Sequence, residues 1–365
     1  MNMKESYHGI EWFDKPYLDR QITMREMLAM VGPRTDFERF IHSGQGEAYI
    51  KSNWLRLHYS DGMHPDVIKY WDDRGVKKEV HYMERDLASW YSYVPKKALE
   101  PGTTKKYPLI INIGHEPFDS EPRGYPELAA TEDVIVIMPP NRHMEDVYAL
   151  YYRAMDMFPI DVSRVYMSGF SFAGFRTLAF AMHHPEPLAG IAVNCHLWPY
   201  IWRMPDLRFR ELLTQKMMPI ICYVGNKDVG QPVPINVGND NSDTMYGDAH
   251  VHSAQDNLDA ANMWLGINHC AQIPLDKALE SANSANKWER EIGLPVSRGD
   301  IKNFDDTEYY FGDFVSDDGV YRTRIISIDN TPHCEFGSMA SVAWDFLKCF
   351  SRSPDDGLSV FKSSL

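Results

Sequence analysis

Residues 168–176 read S-G-F-S-F-A-G-F-R and separate an apolar run typical of a β-strand from one typical of a helix. A serine on a tight turn between a strand and a helix exposes its hydroxyl as a nucleophile. Such a turn is crowded, and Gly169 and Ala173 supply the small neighbours that it needs. Gly174 allows the helix to pack closely on the strand. The pattern therefore predicts that Ser171 is a catalytic nucleophile, and the alternative is a serine that only caps the helix.

The composition describes a globular protein rather than a binder of nucleic acid. The chain has 365 residues, of which 44% are hydrophobic and 24% are charged. Its formal net charge of -14 argues against nucleic acid, because phosphate binding needs a basic surface. Without an apolar run long enough for a membrane or a secretory signal, we expect a cytoplasmic protein, or a secreted one whose export signal has been removed. The five scattered cysteines form no C-x-x-C pair, so neither a disulfide nor a zinc site is predicted.

Short apolar segments alternate with helical patterns through most of the chain. The helical patterns lie near residues 144–158 and 339–350, where apolar residues repeat with helical spacing. The strand candidates are rich in Ile and Val, as expected for parallel strands buried on both faces. This alternation predicts an α/β fold with a doubly wound, mostly parallel sheet. The strand candidates are residues 90–94, 108–113, 134–138, 164–167, 190–194, 219–224 and 323–328.

Two segments depart from this alternation. Residues 1–80 are predicted to be an N-terminal elaboration, and residues 81–352 form the main domain. Residues 239–318 are rich in Asn, Asp, Ser and Ala, with helical patterns near 252–266 and 275–292. We expect this segment to be an insertion before the last strand that shapes a substrate cleft.

A serine hydroxyl needs a base to take its proton, and the base needs a carboxylate to orient it. These groups follow in the order Ser, acid, His, each in a loop after a strand. Asp228 lies in a turn after the strand at 219–224, and His333 lies between the strand at 323–328 and the last helix. The predicted triad is Ser171 as nucleophile, His333 as general acid and base, and Asp228 as the orienting carboxylate.

Other polar residues compete with these assignments. Asp228 is also well placed for an Asx-turn, and three further carboxylates are alternatives for its role: Asp240, Asp243 and Asp329. The pair His183 and His184 ends a helix and suits the helix dipole better than a ligand. His250 and His252 have the spacing of a chelating pair but no carboxylate cluster beside them, so no metal is predicted.

The developing oxyanion needs backbone donors aimed at it. One is the N–H of Phe172, the residue after the nucleophile. The other should come from the turn after residues 108–113, where Pro117 has no N–H, which leaves Glu116 or His115. Trp198, Tyr200 and Trp202 follow another strand end, and they either stack on an acyl group or a sugar or pack against neighbouring segments.

Residues 159–174 resemble the block ID-x-x-R-V-Y-x-x-G-x-S-x-G-G of polyhydroxybutyrate depolymerase-like and feruloyl-esterase-like α/β-hydrolases. Further similarity lies at Ser92-Tyr-Val-Pro and at residues 263–270, and it extends over about residues 85–350. The resemblance implies the α/β-hydrolase fold with an N-terminal extension and an insertion before the last strand. It also implies hydrolysis of a small or aromatic carboxylic ester through an acyl-enzyme, without a cofactor.

The sequence departs from that family at two places. The usual His-Gly at the oxyanion strand is inverted to Gly114-His115, and the small residue after the nucleophile is replaced by Phe172. These departures favour one alternative to an esterase, a binding protein that has kept the fold without the activity. Another enzyme on the same fold, a serine peptidase or an acyltransferase, also stays open.

Overall fold

The structure is a computed structural model. It describes residue 59 and residues 61–82, 89–114, 124–140, 144–194, 197, 216–226, 228, 254–304, 306–331, 334–335, 338–353 and 359–361.

Strands of the described chain fall into one large sheet and one small one. In chain order they are β1 (Val76–Tyr82), β2 (Ser89–Pro95), β3 (Tyr107–Ile113), β4 (Ile135–Met138), β5 (Ile160–Phe170), β6 (Gly190–Asn194), β7 (Ile220–Gly225), β8 (Arg298–Phe304), β9 (Thr307–Val315), β10 (Tyr321–Ile328), β11 (Phe350–Arg352) and β12 (Ser359–Phe361). The large sheet has 10 strands in the order β1-β2-β4-β3-β5-β6-β7-β10-β9-β8, and β11 pairs with β12.

The centre of the large sheet is parallel and both of its edges are antiparallel. Parallel pairs join β4, β3, β5, β6, β7 and β10. At one edge β1, β2 and β4 are antiparallel, and at the other β10, β9 and β8 are antiparallel. Every residue of β3, β4, β6 and β7 is buried. This burial explains why these strands read as continuous apolar runs.

Helices cover both faces of this sheet. They are α1 (Pro65–Asp73), α2 (Tyr125–Thr131), α3 (Met144–Met157), α4 (Phe172–His183), α5 (Ala254–Ile267), α6 (Leu275–Ala282), α7 (Lys287–Ile292) and α8 (Ser338–Leu347). Residues of α1, α2 and α8 pack into one core, and residues of α3 to α7 pack into the core on the opposite face. The two-sided cover and the parallel centre confirm the predicted α/β-hydrolase fold.

The helix predictions near residues 144 and 339 are confirmed by burial. Val147, Leu150 and Ala154 of α3 lie in one core, while Met339 and Phe346 of α8 lie in the other. Helical spacing of apolar residues places them on one face, and each helix buries that face against the sheet.

Both predicted segments contribute strands to the large sheet. Residue 80 lies inside β1, which pairs with β2 along its length. The described part of the segment 239–318 begins with helices and continues into β8 and β9, which extend the large sheet. Most of β8 is exposed, so it lacks the apolar run on which the strand predictions depended.

A buried carboxylate joins the three strands at this edge. Asp313 of β9 is 3% exposed and lies opposite Arg298 of β8 and Arg324 of β10. Arg324 donates its Nε–H to Asp313 Oδ1 at 2.6 Å, and Arg298 donates its Nε–H to Asp313 Oδ2 at 3.0 Å. Burial by itself raises the pKa of Asp313, but the bonds from Arg324 and Arg298 lower it overall.

We expect Asp313→Asn to lower the free energy of unfolding by about 3 kcal/mol at neutral pH, because it leaves two arginines without a buried carboxylate. The folded-state pKa lies below the unfolded one, so this contribution is present above the unfolded pKa and is lost as pH falls through the folded one. In urea denaturation, the difference in free energy of unfolding between wild type and Asp313→Asn should therefore decrease below about pH 4. A difference that stays constant with pH would contradict the role of the Asp313 charge.

Candidate active site

Ser171 occupies a sharp turn between β5 and α4. Its backbone has φ 54° and ψ -124°, a conformation that residues with a Cβ rarely adopt. Such a conformation costs about 1–3 kcal/mol and persists only where the surroundings hold it. The Ser171 N–H donates to the carbonyl of Asn194 at 3.2 Å, and the Ser171 carbonyl accepts from Gly174 at 2.9 Å. The turn thus has the strained geometry that presents a nucleophilic serine.

Gly169 is required by the close approach of α4 to the end of β5. A Cβ at this position would lie 2.4 Å from the carbonyl oxygen of Ala173 and 2.7 Å from Thr177 Oγ1. Thr177 cannot withdraw freely, since its hydroxyl donates to the same carbonyl at 3.1 Å. The prediction that small residues surround Ser171 therefore has a steric explanation.

Asp228 is buried in the turn that follows β7. It is 4% exposed, and its N–H donates to the carbonyl of Gly225 at 3.0 Å. In the same turn the N–H of Asn226 donates to the carbonyl of Ile328, the last residue of β10, at 2.9 Å. The Asn226 amide also donates to Asp329 Oδ1 at 3.0 Å. The turn that carries Asp228 is therefore joined to the loop after β10.

That loop leads to His333, which lies outside the described residues. The residues described on either side are Thr331 and Cys334, and both are buried. The carbonyl of Thr331 lies against Gly225, where a Cβ would come within 1.9 Å of it. The carbonyl of Cys334 accepts from the Asn194 amide at 3.4 Å. The backbone before His333 therefore contacts Gly225, just before the turn that carries Asp228. The backbone after His333 contacts Asn194, whose carbonyl accepts the Ser171 N–H.

We expect Gly225→Ala to separate the turn that carries Asp228 from the loop after β10, because the added methyl collides with the backbone of Thr331 rather than with a movable side chain. The free energy of unfolding should fall by about 2–3 kcal/mol, as for other overpacked sites. Gly266→Ala in α5 is the matched control, since its Cβ would meet only the end of the exposed Gln272 side chain at 3.2 Å. Thermal unfolding of both variants measures the difference, and an equal effect would contradict the proposed clash.

Phe172 is the first residue of α4 and is 39% exposed. N–H groups in the first turn of a helix have no partner within the helix, so they can face an anion. The ring of Phe172 makes an edge contact with Phe175 and lies 5.7 Å from the Arg176 guanidinium. An aromatic surface therefore lies next to the turn that holds Ser171.

Several predicted residues lie outside the described part of the chain. They are His115 and Glu116 of the predicted oxyanion turn, the aromatic residues Trp198, Tyr200 and Trp202, the alternative acids Asp240 and Asp243, and the pair His250 and His252. Among the predicted alternatives that are described, Asp329 binds Asn226, and His184 stacks on Tyr148 with ring centroids 4.0 Å apart.

Asn194 and Gly225 were not predicted as site residues, although each ends an apolar strand. The sequence signal for Asn194 is a polar residue at the end of a buried strand. Within the described residues, no group of three or more His, Cys, Asp or Glu is placed to hold a metal ion. None of the described helices has the length and apolar character needed to span a bilayer.

No family model and no curated protein sequence matches this chain. Among solved structures it is similar to an acetyl xylan esterase from Aspergillus awamori, with 12% identity, a TM-score of 0.47, and coverage of 74% of this chain and 99% of that one. A thermostable esterase has 18% identity and a TM-score of 0.34, with 44% of this chain and 49% of that chain covered. A feruloyl esterase module from Clostridium thermocellum complexed with sinapinate has 12% identity and a TM-score of 0.37, with 55% and 76% covered. Identities this low carry no activity over to this chain, whose α/β-hydrolase fold is given by its own sheet order and by the turn at Ser171.

Proposed function

We propose that this protein is a serine esterase that works through an acyl-enzyme. The observation that carries the proposal is the double role of Asn194, whose carbonyl binds the Ser171 amide and whose side chain binds the Cys334 carbonyl. His333 directly precedes Cys334 in the sequence. Asn194 therefore ties the backbone of the nucleophile to the backbone beside the proposed base.

The position of Asp228 supports the same proposal, through a contact with the backbone before His333. The contact between Gly225 and Thr331 brings the turn of Asp228 against the segment that begins the approach to His333. A buried carboxylate beside an imidazole fixes its tautomer and stabilises the imidazolium that forms during catalysis. The burial of Asp228 suits that role, because a low dielectric strengthens the interaction.

In the proposed reaction, Ser171 Oγ attacks the acyl carbon while His333 takes the hydroxyl proton. The tetrahedral oxyanion is stabilised by the N–H groups of Phe172 and Glu116. The bond to the alkoxide then breaks, and His333 gives its proton to the departing alcohol. Water attacks the acyl-enzyme with His333 again as base, which releases the acid and restores Ser171.

The exposed ring of Phe172 supports a substrate with a small or aromatic acyl group. An aromatic side chain beside the nucleophile offers an apolar wall, and it narrows the space for a branched or long chain. The acyl group is therefore proposed to be short or flat, as in acetyl and hydroxycinnamoyl esters.

A panel of 4-nitrophenyl esters, from acetyl to decanoyl and including feruloyl, tests this function when kcat/KM is compared with that of the matching anilides. We expect the esters to be hydrolysed at least about 1,000 times faster than the anilides, with the highest kcat/KM at acetyl or feruloyl. Comparable anilide cleavage would indicate a peptidase, and preferential transfer to an added alcohol would indicate an acyltransferase. An optimum at long linear chains would contradict the proposed role of Phe172.

A further inference from the structure

Three buried side chains near the candidate active site are joined by hydrogen bonds between their hydroxyl and carboxyl groups. Tyr125, Tyr223 and Glu335 are all buried. The hydroxyls of Tyr125 and Tyr223 are 3.0 Å apart, and the Tyr223 hydroxyl donates to Glu335 Oε1 at 3.3 Å. Burial raises the pKa of Tyr223 well above its ordinary value, with further contributions from Tyr125 and Glu335, so its hydroxyl stays protonated as a donor.

Each of the three residues lies near a different predicted site residue in the sequence. Tyr125 begins α2 and comes nine positions after Glu116. Tyr223 lies on β7, in the strand that leads into the turn of Asp228. Glu335 is two residues beyond His333 and is buried, and its partner Tyr223 lies in the same core as α8.

Burying a carboxyl group and two hydroxyls in an apolar core is unfavourable unless they bond to one another. The surrounding core contains the apolar side chains of Val136, Ile221 and Ile326. The hydrogen bonds that join the three polar groups therefore offset part of the cost of burying them. Such bonds also fix the mutual position of segments that are far apart in sequence.

We propose that Tyr125, Tyr223 and Glu335 are positioning residues that hold the start of α2, the strand before Asp228 and the backbone after His333 in a fixed arrangement. This role rests on the proposed esterase function and adds residues that touch neither substrate nor reacting atoms. Removing one of these hydrogen bonds leaves Ser171 in place, but the backbone next to Asp228 and next to the proposed base is then held less firmly. Misplacement of catalytic groups by about 1 Å lowers the rate of the chemical step by roughly 100-fold.

Tyr223→Phe and Tyr125→Phe each remove one link without changing the shape of the side chain. Tyr166→Phe is the matched control. Tyr166 is also a buried tyrosine of the same core, but its hydroxyl donates to the carbonyl of Phe350 at 2.7 Å, away from the catalytic loops. All three variants lose one buried hydrogen bond, so all three should melt at a lower temperature than wild type.

The test measures kcat and KM for 4-nitrophenyl acetate and the rate at which a fluorophosphonate labels Ser171. Tyr223→Phe and Tyr125→Phe should lower kcat and the labelling rate by roughly 10- to 100-fold, with KM within about twofold. Tyr166→Phe should keep kcat, and Glu335→Gln, which retains an acceptor, should lose less activity than Glu335→Ala. If Tyr223→Phe keeps wild-type kcat while melting like Tyr166→Phe, the positioning role is wrong. If wild type itself neither hydrolyses esters nor becomes labelled, the esterase function is wrong instead.

Discussion

Ser171→Ala is expected to lower kcat for 4-nitrophenyl acetate by about 10⁴- to 10⁶-fold, because it removes the atom that forms the acyl-enzyme. Residual activity should reflect only the remaining binding and oxyanion groups, which act on a water molecule rather than on a covalent intermediate. The backbone strain at Ser171 belongs to the turn and not to the hydroxyl, so the variant should fold as wild type does. Initial rates and thermal unfolding together separate a chemical effect from a structural one.

Ser168→Ala is the matched control for that experiment. Ser168 lies in β5, the strand that leads into the turn of Ser171, and its buried hydroxyl donates to Asn112 Oδ1 at 2.9 Å. Its loss should cost about 1 kcal/mol of stability and leave kcat close to that of wild type. If Ser171→Ala and Ser168→Ala retained equal activity, Ser171 would not be the nucleophile.

Asp228→Asn is expected to lower kcat by about 10³- to 10⁴-fold, because an amide cannot hold the imidazole tautomer that accepts the Ser171 proton. KM for the same ester should change little, since the side chain is buried and does not face solvent. The variant keeps the size of the residue, so the bond from its N–H to the Gly225 carbonyl should persist. Steady-state kinetics above and below neutral pH provide the measurement.

Asp329→Asn distinguishes Asp228 from the competing carboxylate. Asp329 follows β10 directly and accepts a bond from Asn226, so its variant disturbs the same pair of loops. We expect its kcat to stay within about tenfold of wild type, since the bond from Asn226 is partly buried and its loss costs about 1 kcal/mol. The reverse ranking of the two variants would assign the orienting role to Asp329.

The centre of the sheet was predictable because parallel strands buried on both faces must be apolar throughout. The candidates at residues 190–194 and 108–113 correspond to β6 and β3 for this reason. The edges were harder to predict. β8 reads R-G-D-I-K-N-F and is mostly exposed, so it carries no apolar run. Its place is set by pairing with β9 and by the buried Asp313, which are tertiary contacts without a local signature.

Some features of the candidate site were also predictable from the sequence, and others were not. The turn at Ser171 was predictable because its steric demand falls on neighbouring residues, and the sequence meets that demand with Gly169 and Ala173. The bonds that join the loops were not predictable. Asn194 and Cys334 are 140 positions apart, and Tyr125 and Tyr223 are 98 apart, so no short pattern reports either contact. Only the folded chain brings these partners together.

Labelling with a fluorophosphonate, followed by intact-mass and peptide analysis, tests the central proposal most directly, because the reagent reacts with an activated serine and not with an ordinary one. We expect one adduct per chain, located on the peptide that contains Ser171, together with loss of ester hydrolysis. His333→Ala should slow the labelling by at least about 1,000-fold. A folded wild-type protein that stays unlabelled, or one that is labelled at a different residue, would contradict it.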